Sequence, residues 1–124
     1  MFIGEVAKRT GLTLKAIRLY EEAGLIRPTR SDANYRLYRE ADVRLLKLII
    51  EARQMGMRVS QIKTAIRYVQ GEIDWAHVNA YLTDYRQALL QEVERLKANV
   101  KQLDACIAEM NSPDPADQPA GCRA

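Results

Sequence analysis

Two cysteines and one histidine are the soft donors of this 124-residue chain: Cys106, Cys122 and His77. A thiolate pair could grip a soft metal at about 2.3 Å per bond, or close a disulfide of about 2.05 Å. The residues between the cysteines include Pro113, Pro115 and Pro119, which stiffen the path but leave ample reach. The plainer reading makes Cys106 a small apolar residue at a helix margin, Cys122 an idle thiol and His77 a surface residue at a helix start. Lys101 and Arg95 would be weak thiolate activators for Cys106. No serine or cysteine stands beside His77, which leaves little material for hydrolysis, and an enzyme is not expected.

Cations are the second kind of chemistry. Residues 1–70 carry 14 Lys and Arg against 7 Asp and Glu, a net +7, and residues 71–124 carry 5 against 9, a net −4. A basic first half with an acidic second half suggests a polyanion-binding module attached to something else. Lys15 and Arg18 lie three residues apart, so on a helix they share a face and present donors together. At 48% hydrophobic and 28% charged the composition is that of a globular protein. There is no apolar run of about 18 residues for a membrane span, and the first residues lack the pattern of a secretory signal. Two cysteines are too few for a disulfide framework, so a reduced, cytoplasmic setting is expected.

The elements that must position these residues are marked by Gly and Pro. Gly4, Gly11, Gly24, Pro28, Gly56 and Gly71 divide the first 71 residues, whereas Ile73–Asn111 contains neither type. Ile3, Val6 and Ala7 share one helical face, and Gly11 ends that helix. Thr13 caps a second helix whose inner face is Leu14 and Ile17, with Leu25 beyond its end at Gly24. Two short helices around a Gly-containing turn are a helix-turn-helix pattern. Pro28, the turn cluster Ser31–Asn34, and Tyr35, Leu37 and Tyr38 then predict a small hairpin, a wing, with its tip near Asp32–Asn34. One of the two tyrosines is expected to bury. A helix over Ala41–Met55 buries Val43, Leu45, Leu46, Leu48, Ile49 and Ala52. Another over Gln61–Val69, capped by Ser60, buries Ile62, Ala65, Ile66 and Val69.

The last segment is the most regular. Leu82, Leu89, Leu96, Leu103 and Met110 recur every seven residues, with Val93, Val100 and Ile107 four residues after three of the leucines. This is a heptad with Leu or Met at d and Val or Ile at a. A helix from Trp75 to Met110 would be about 54 Å long. The first 71 residues are too few to cover so long a stripe, so the helix is expected to pair with a second copy of itself. The tail, Ser112–Ala124, has three prolines and almost nothing large and apolar, and reads as flexible.

Taken together, Ile3-Gly4-Glu5-Val6-Ala7, Ala16-Ile17-Arg18-Leu19-Tyr20-Glu21, Gly24-Leu25-Ile26-Arg27-Pro28, Asn34-Tyr35-Arg36-Leu37-Tyr38 and Ala52-Arg53-Gln54-Met55-Gly56-Met57 resemble the MerR family of bacterial transcriptional regulators. The resemblance covers about residues 1–110. It implies a mainly α fold: a winged helix-turn-helix DNA-binding domain (1–71), a dimerisation helix (73–111) forming an antiparallel dimeric coiled coil, and a tail (112–124). The implied DNA-binding residues are Thr13, Lys15, Arg18 and Tyr20 on the second helix, Asn34, Tyr35, Arg36 and Tyr38 on the wing, and Arg53 and Arg58 around the Gly56 turn. Arg18 is best placed for a bidentate guanine or phosphate contact. The implied partners are double-stranded promoter DNA, a second copy of the chain and RNA polymerase at a promoter that the dimer bends and untwists. No membrane partner is expected. Other readings are an effector-free, excisionase-like DNA-binding protein and a coiled-coil adaptor.

Metal-sensing members carry two cysteines in a short loop after the dimer helix. Here Cys106 falls inside the helix, and Trp75, Ala76 and His77 stand at the helix start. No cofactor is certain. A metal ion held by Cys106 and Cys122, with His77 as a further donor, competes with a thiol-based response to oxidants or electrophiles. Trp75 is expected to staple the long helix onto the DNA-binding part.

Overall fold

The computed structural model describes residues 1–112. The cysteine Cys122 and the tail expected to be flexible, from Pro113 onward, lie outside the described residues. The chain divides into two compact units, Met1–Tyr81 and Leu82–Ala124. The first unit therefore extends past residue 71, the expected end of the DNA-binding domain.

In the first unit, α1 (Ile3–Thr10) and α2 (Leu14–Glu22) form the helix-turn-helix. Gly11 ends α1 at φ 77°, its N–H donating to Ala7 O at 2.8 Å. A side chain with a Cβ tolerates that left-handed geometry poorly, so glycine places the turn. Thr13 caps α2 as expected, its Oγ1 accepting from Ala16 N at 3.1 Å. Val6 and Ile17 are wholly buried between the helices, and Leu25 and Ile26 continue the core. Leu14, expected inside, is 42% exposed. It lies one turn before Arg18 and shares that residue's outward face.

The wing pairs β1 (Thr29–Arg30) with β2 (Arg36–Leu37), in the register Thr29↔Leu37 and Arg30↔Arg36. Asn34 turns the tip at φ 66°, a conformation that asparagine tolerates. Its N–H donates to Ser31 O at 2.8 Å. Beyond β2, Tyr38 N donates to Met1 O at 2.7 Å and the Met1 nitrogen donates to Tyr38 O at 2.8 Å. This exchange ties the start of the chain to the end of the wing.

The next helix, α3 (Glu40–Gln54), buries Val43, Leu45, Leu46, Ile49 and Ala52, while Leu48 is half-buried. Arg9 clasps Glu40 through two N–H···O bonds of 2.6 and 2.7 Å, joining α1 to α3. Asp42 is wholly buried near the start of α3, its Oδ2 accepting from Arg39 N at 2.8 Å, and burial raises its pKa.

The following segment departs from expectation. The helix α4 covers only Val59–Ala65, with Arg58 rather than Ser60 as its N-cap, and Arg58 N donates to Gln61 Oε1 at 2.9 Å. A hairpin of β3 (Tyr68–Val69) and β4 (Glu72–Ile73) replaces the expected end of the helix. Gln70 and Gly71 sit at φ 52° and 78°, the two left-handed residues that a two-residue hairpin turn needs. Val69 consequently points outward at 49% exposure, and Ile73 enters the core instead.

Tyr68 of this hairpin donates its hydroxyl to Leu25 O at 3.1 Å, with the Arg27 guanidinium 4.4 Å from its ring centre. Burial pushes the phenol up to about 12 from 10.0. Because the folded pKa is the higher one, Tyr68 contributes stability below pH 10 that is lost as pH rises from about 10 towards 12. Tyr68→Phe is expected to cost about 0.5–1.5 kcal/mol at neutral pH, the value of one hydrogen bond. Its stability should then fall less steeply across that alkaline window, as urea titrations at several pH values would report.

The long helix α5 (Trp75–Met110) begins in the first unit. Asp74 starts it, its Oδ1 accepting from His77 N at 3.1 Å and its other oxygen binding Arg67. Val78 is buried, and the Arg44 guanidinium lies 4.4 Å from the Trp75 ring centre, so α3 holds the first turn of α5. In the second unit the stripe stands open. Leu89, Val93, Leu96, Val100, Leu103, Ile107 and Met110 are 44–60% exposed, and Leu82 is half-buried. Among the described residues, no helix is long and apolar enough to cross a membrane.

Candidate nucleic-acid interface

On α2, the turns that bury Ile17 leave Lys15 and Arg18 exposed together. Arg18 makes no salt bridge among the described residues, so its five N–H donors are not committed to a carboxylate. Thr13 is exposed at the start of the same helix, and Tyr20 is half-buried on its flank.

The carboxylate three residues on from Arg18 is used elsewhere. Glu21 Oε1 accepts from Arg36 Nε at 2.9 Å, and its Oε2 accepts from the Tyr38 hydroxyl at 3.4 Å. Glu21 thereby fastens the wing to α2 and fixes the stem of Arg36. The hydrogen bond to Glu21 is the main reason the Arg36 pKa lies above its ordinary value. Glu21 went unassigned in the sequence, because only the folded wing brings Arg36 to it.

Of the wing residues, Asn34, Tyr35 and Arg36 are exposed, Tyr35 at 63%. Tyr38, placed with them by the resemblance, is only 2% exposed. It cannot reach a groove, and its place among the DNA-binding residues is corrected: it is the tyrosine that buries, pinned between Met1 and Glu21. Arg53 is exposed but donates Nη1 to Met57 O at 2.9 Å, bracing the turn around Gly56. Arg58 is exposed as the N-cap of α4.

The residues considered for an effector are not assembled among the described residues. His77 is half-buried, its Nδ1 lying 2.9 Å from Ala65 O, so this imidazole ties α5 to the end of α4. Cys106 is buried on α5. No three His, Cys, Asp or Glu side chains among the described residues are grouped to hold a metal ion.

A helix-turn-helix with a wing and an outward basic helix face defines the class of a DNA-binding regulator. Residues 1–69 match the family described as MerR HTH family regulatory protein, and the chain belongs to that family. It is 31% identical over 126 residues to the HTH-type transcriptional regulator CueR of Salmonella typhi, covering 98% of this chain and 87% of that protein. It is 33% identical over 111 residues to the heavy metal-dependent transcription regulator 2 of Rhizobium meliloti, covering 89% of this chain and 69% of that one. Among solved structures, the transcription regulator PbrR691 from Ralstonia metallidurans CH34, in complex with lead(II), matches with a TM-score of 0.53 and 26% identity. That match covers 92% of this chain and 90% of the other.

Proposed function

We propose that the protein is a homodimeric transcriptional regulator that binds and distorts promoter DNA in response to a small effector. The observation that carries this reading is the exposed Lys15 and Arg18 on α2 beside the exposed Asn34, Tyr35 and Arg36 of a wing that Glu21 anchors. In this reading α2 enters the major groove, where Arg18 reads base edges or an adjacent phosphate and Thr13 donates to a phosphate. Arg36 and Tyr35 grip the neighbouring backbone, with Arg53 and Arg58 adding phosphate contacts. The exposed stripe from Leu89 to Met110 supports antiparallel pairing of two α5 helices. Two such halves on one duplex can offset the cost of bending and untwisting it, which realigns promoter elements for RNA polymerase. Binding to a palindromic promoter duplex, measured in a salt series, tests the reading. Affinity should fall steeply as salt rises, and salt-independent binding would rule out the phosphate contacts.

For the effector we propose a response through the thiols of Cys106 and Cys122. Similarity to a heavy metal-dependent regulator and to a lead(II)-binding one favours a soft metal ion. A second reading is thiol oxidation or modification, which two cysteines in one chain allow. The two differ in requirement, since a metal takes thiolates and a disulfide leaves none to give. A Cys106→Ser, Cys122→Ser double variant should drop to the uninduced level in a promoter reporter challenged with soft metals, peroxide and aldehydes. The inducer that loses its effect identifies the chemistry. Induction equal to wild type would make both cysteines structural and move the search to Trp75, His77 and Tyr81.

A further inference from the structure

We propose that Arg39 and Asp42 form a two-position latch between the wing and the β3–β4 hairpin. Turned out, the Arg39 side chain grips Glu72 and Gly71; turned in, it gives its Nε–H to the buried carboxylate of Asp42 and releases the hairpin. The inference rests on the DNA-binding reading above only for what the latch controls.

Arg39 stands where three elements meet. It follows Tyr38, whose main chain is fixed to Met1 and whose hydroxyl reaches Glu21 on α2, and it is the N-cap of α3. Its guanidinium crosses to the second hairpin, Nη1 donating to Glu72 Oε1 at 2.8 Å and Nη2 to Gly71 O at 3.2 Å. Gly71 belongs to the left-handed turn of that hairpin, and β4 leads through Asp74 into α5. One side chain thus joins the base of the wing to the segment from which α5 starts.

The outward grip leaves two polar atoms unmet. Among the described residues, Arg39 Nε and Asp42 Oδ1 are the buried side-chain nitrogen and oxygen without a hydrogen-bond partner. One is a donor and the other an acceptor. They belong to residues three apart, and Asp42 is already folded back on Arg39, since its Oδ2 accepts from Arg39 N at 2.8 Å. Rotation about the Arg39 side-chain bonds is therefore enough to bring Nε–H to Oδ1 without moving α3.

The two positions exchange interactions of different kinds. Turned out, Arg39 holds a carboxylate whose side chain is 70% exposed, and water screens such a pair to little net value. Turned in, it loses that pair but satisfies two buried atoms, one of them on the wholly buried Asp42, where an unmet group is costly. A pull on the hairpin from the start of α5, or a load on the wing, shifts such a balance, and by linkage each end feels the other.

NMR of the whole chain reads the latch, through the Arg39 Nε–H signal and the amides of Asn34–Arg36 on the wing. Glu72→Gln removes the charge that holds Arg39 out, at an exposed residue, and should slow exchange of the Nε–H with solvent by about 5- to 10-fold, the effect of one hydrogen bond gained. Asp42→Asn keeps an oxygen for the Arg39 N–H but removes the charge that draws Nε in, and should move the same signals the opposite way. The wild-type wing amide peaks should then fall on the line joining those of the two variants, as a population shift between two positions requires. If Asp42→Asn does not fold, Glu72→Asp and Glu72→Lys supply further points on that line. Adding a duplex selected from a randomised library by the wild-type protein should move the amides of Gln70–Glu72, across the latch from the wing, along their own variant line. Peaks scattered off the line, or an Arg39 Nε–H unmoved by Glu72→Gln, overturn the latch; a water fixed between Nε and Oδ1 would give that result. Hairpin amides unmoved by a duplex that binds overturn the coupling and leave the DNA-binding reading standing. If the wild-type protein selects no duplex, that reading fails, while the line in the free protein still decides the latch.

Discussion

Leu96→Glu is expected to leave the protein monomeric at micromolar concentration and unable to hold a full palindromic site. Leu96 lies midway between Leu82 and Met110 in the heptad and is 48% exposed on the single chain. In an antiparallel pair the midpoint of the stripe meets its own copy, so the substitution would place two carboxylates against each other in an apolar seam. Losing the burial of two leucine side chains costs about 3–6 kcal/mol, roughly a factor of 150 to 20,000 in the dimer constant. Desolvating the carboxylates adds to that cost. Sedimentation equilibrium of wild type and variant measures the effect directly. A wild-type protein that sediments as a monomer at that concentration would refute the pairing of α5. The change lies outside the first unit, so its helix-turn-helix should keep its fold and its Tyr68 titration.

Arg18→Ala is expected to cost about 1–3 kcal/mol in binding to the preferred site, roughly 5- to 150-fold, and to blur the sequence preference. Arg18 is exposed, and the carboxylate three residues on, Glu21, is engaged by Arg36 and Tyr38. The guanidinium is therefore available to a ligand without breaking an internal ion pair. Removing it should leave stability nearly unchanged while affinity falls. Arg18→Lys should keep the charge but lose the two-pronged geometry, retaining the salt dependence while discriminating poorly between guanine and adenine. Competition between the selected duplex and single-base variants would show both effects. An Arg18→Ala variant with wild-type affinity and preference would take Arg18 out of the reading role.

Much of the architecture is legible in local patterns. Gly11, Thr13 and the Ile3–Val6–Ile17 spacing specify α1, the turn and α2 through interactions within a few residues, and the structure places them there. The apolar spacing from Val43 to Ala52 sets α3 to within one residue at each end. The seven-residue repeat from Leu82 to Met110 marks α5 through its spacing alone. The β3–β4 hairpin escapes that kind of reading although its signal is present: Gln70-Gly71 between Tyr68-Val69 and Ile73 is a turn flanked by strand formers. An apolar spacing of three and four through Ile62, Ala65, Ile66 and Val69 conceals it by mimicking a helix face.

By itself, then, the sequence determined α1, α2, α3, α5, the wing and the outward apolar stripe, because period, caps and turn residues act over one or two turns of chain. Only the tertiary structure decided between Tyr35 and Tyr38, which are equivalent in composition and nearly so in position. Met1 pairs with the main chain of Tyr38 and Glu21 takes its hydroxyl, so Tyr38 is drawn inside and Tyr35 stays out beside Phe2. The same holds for Glu21, which chooses Arg36 over Arg18, and for His77, which meets Ala65 O instead of solvent. Each of these outcomes depends on partners at least twelve residues away in the chain. Which of them meet is settled by how the helices and hairpins pack, and no spacing within a single segment encodes it.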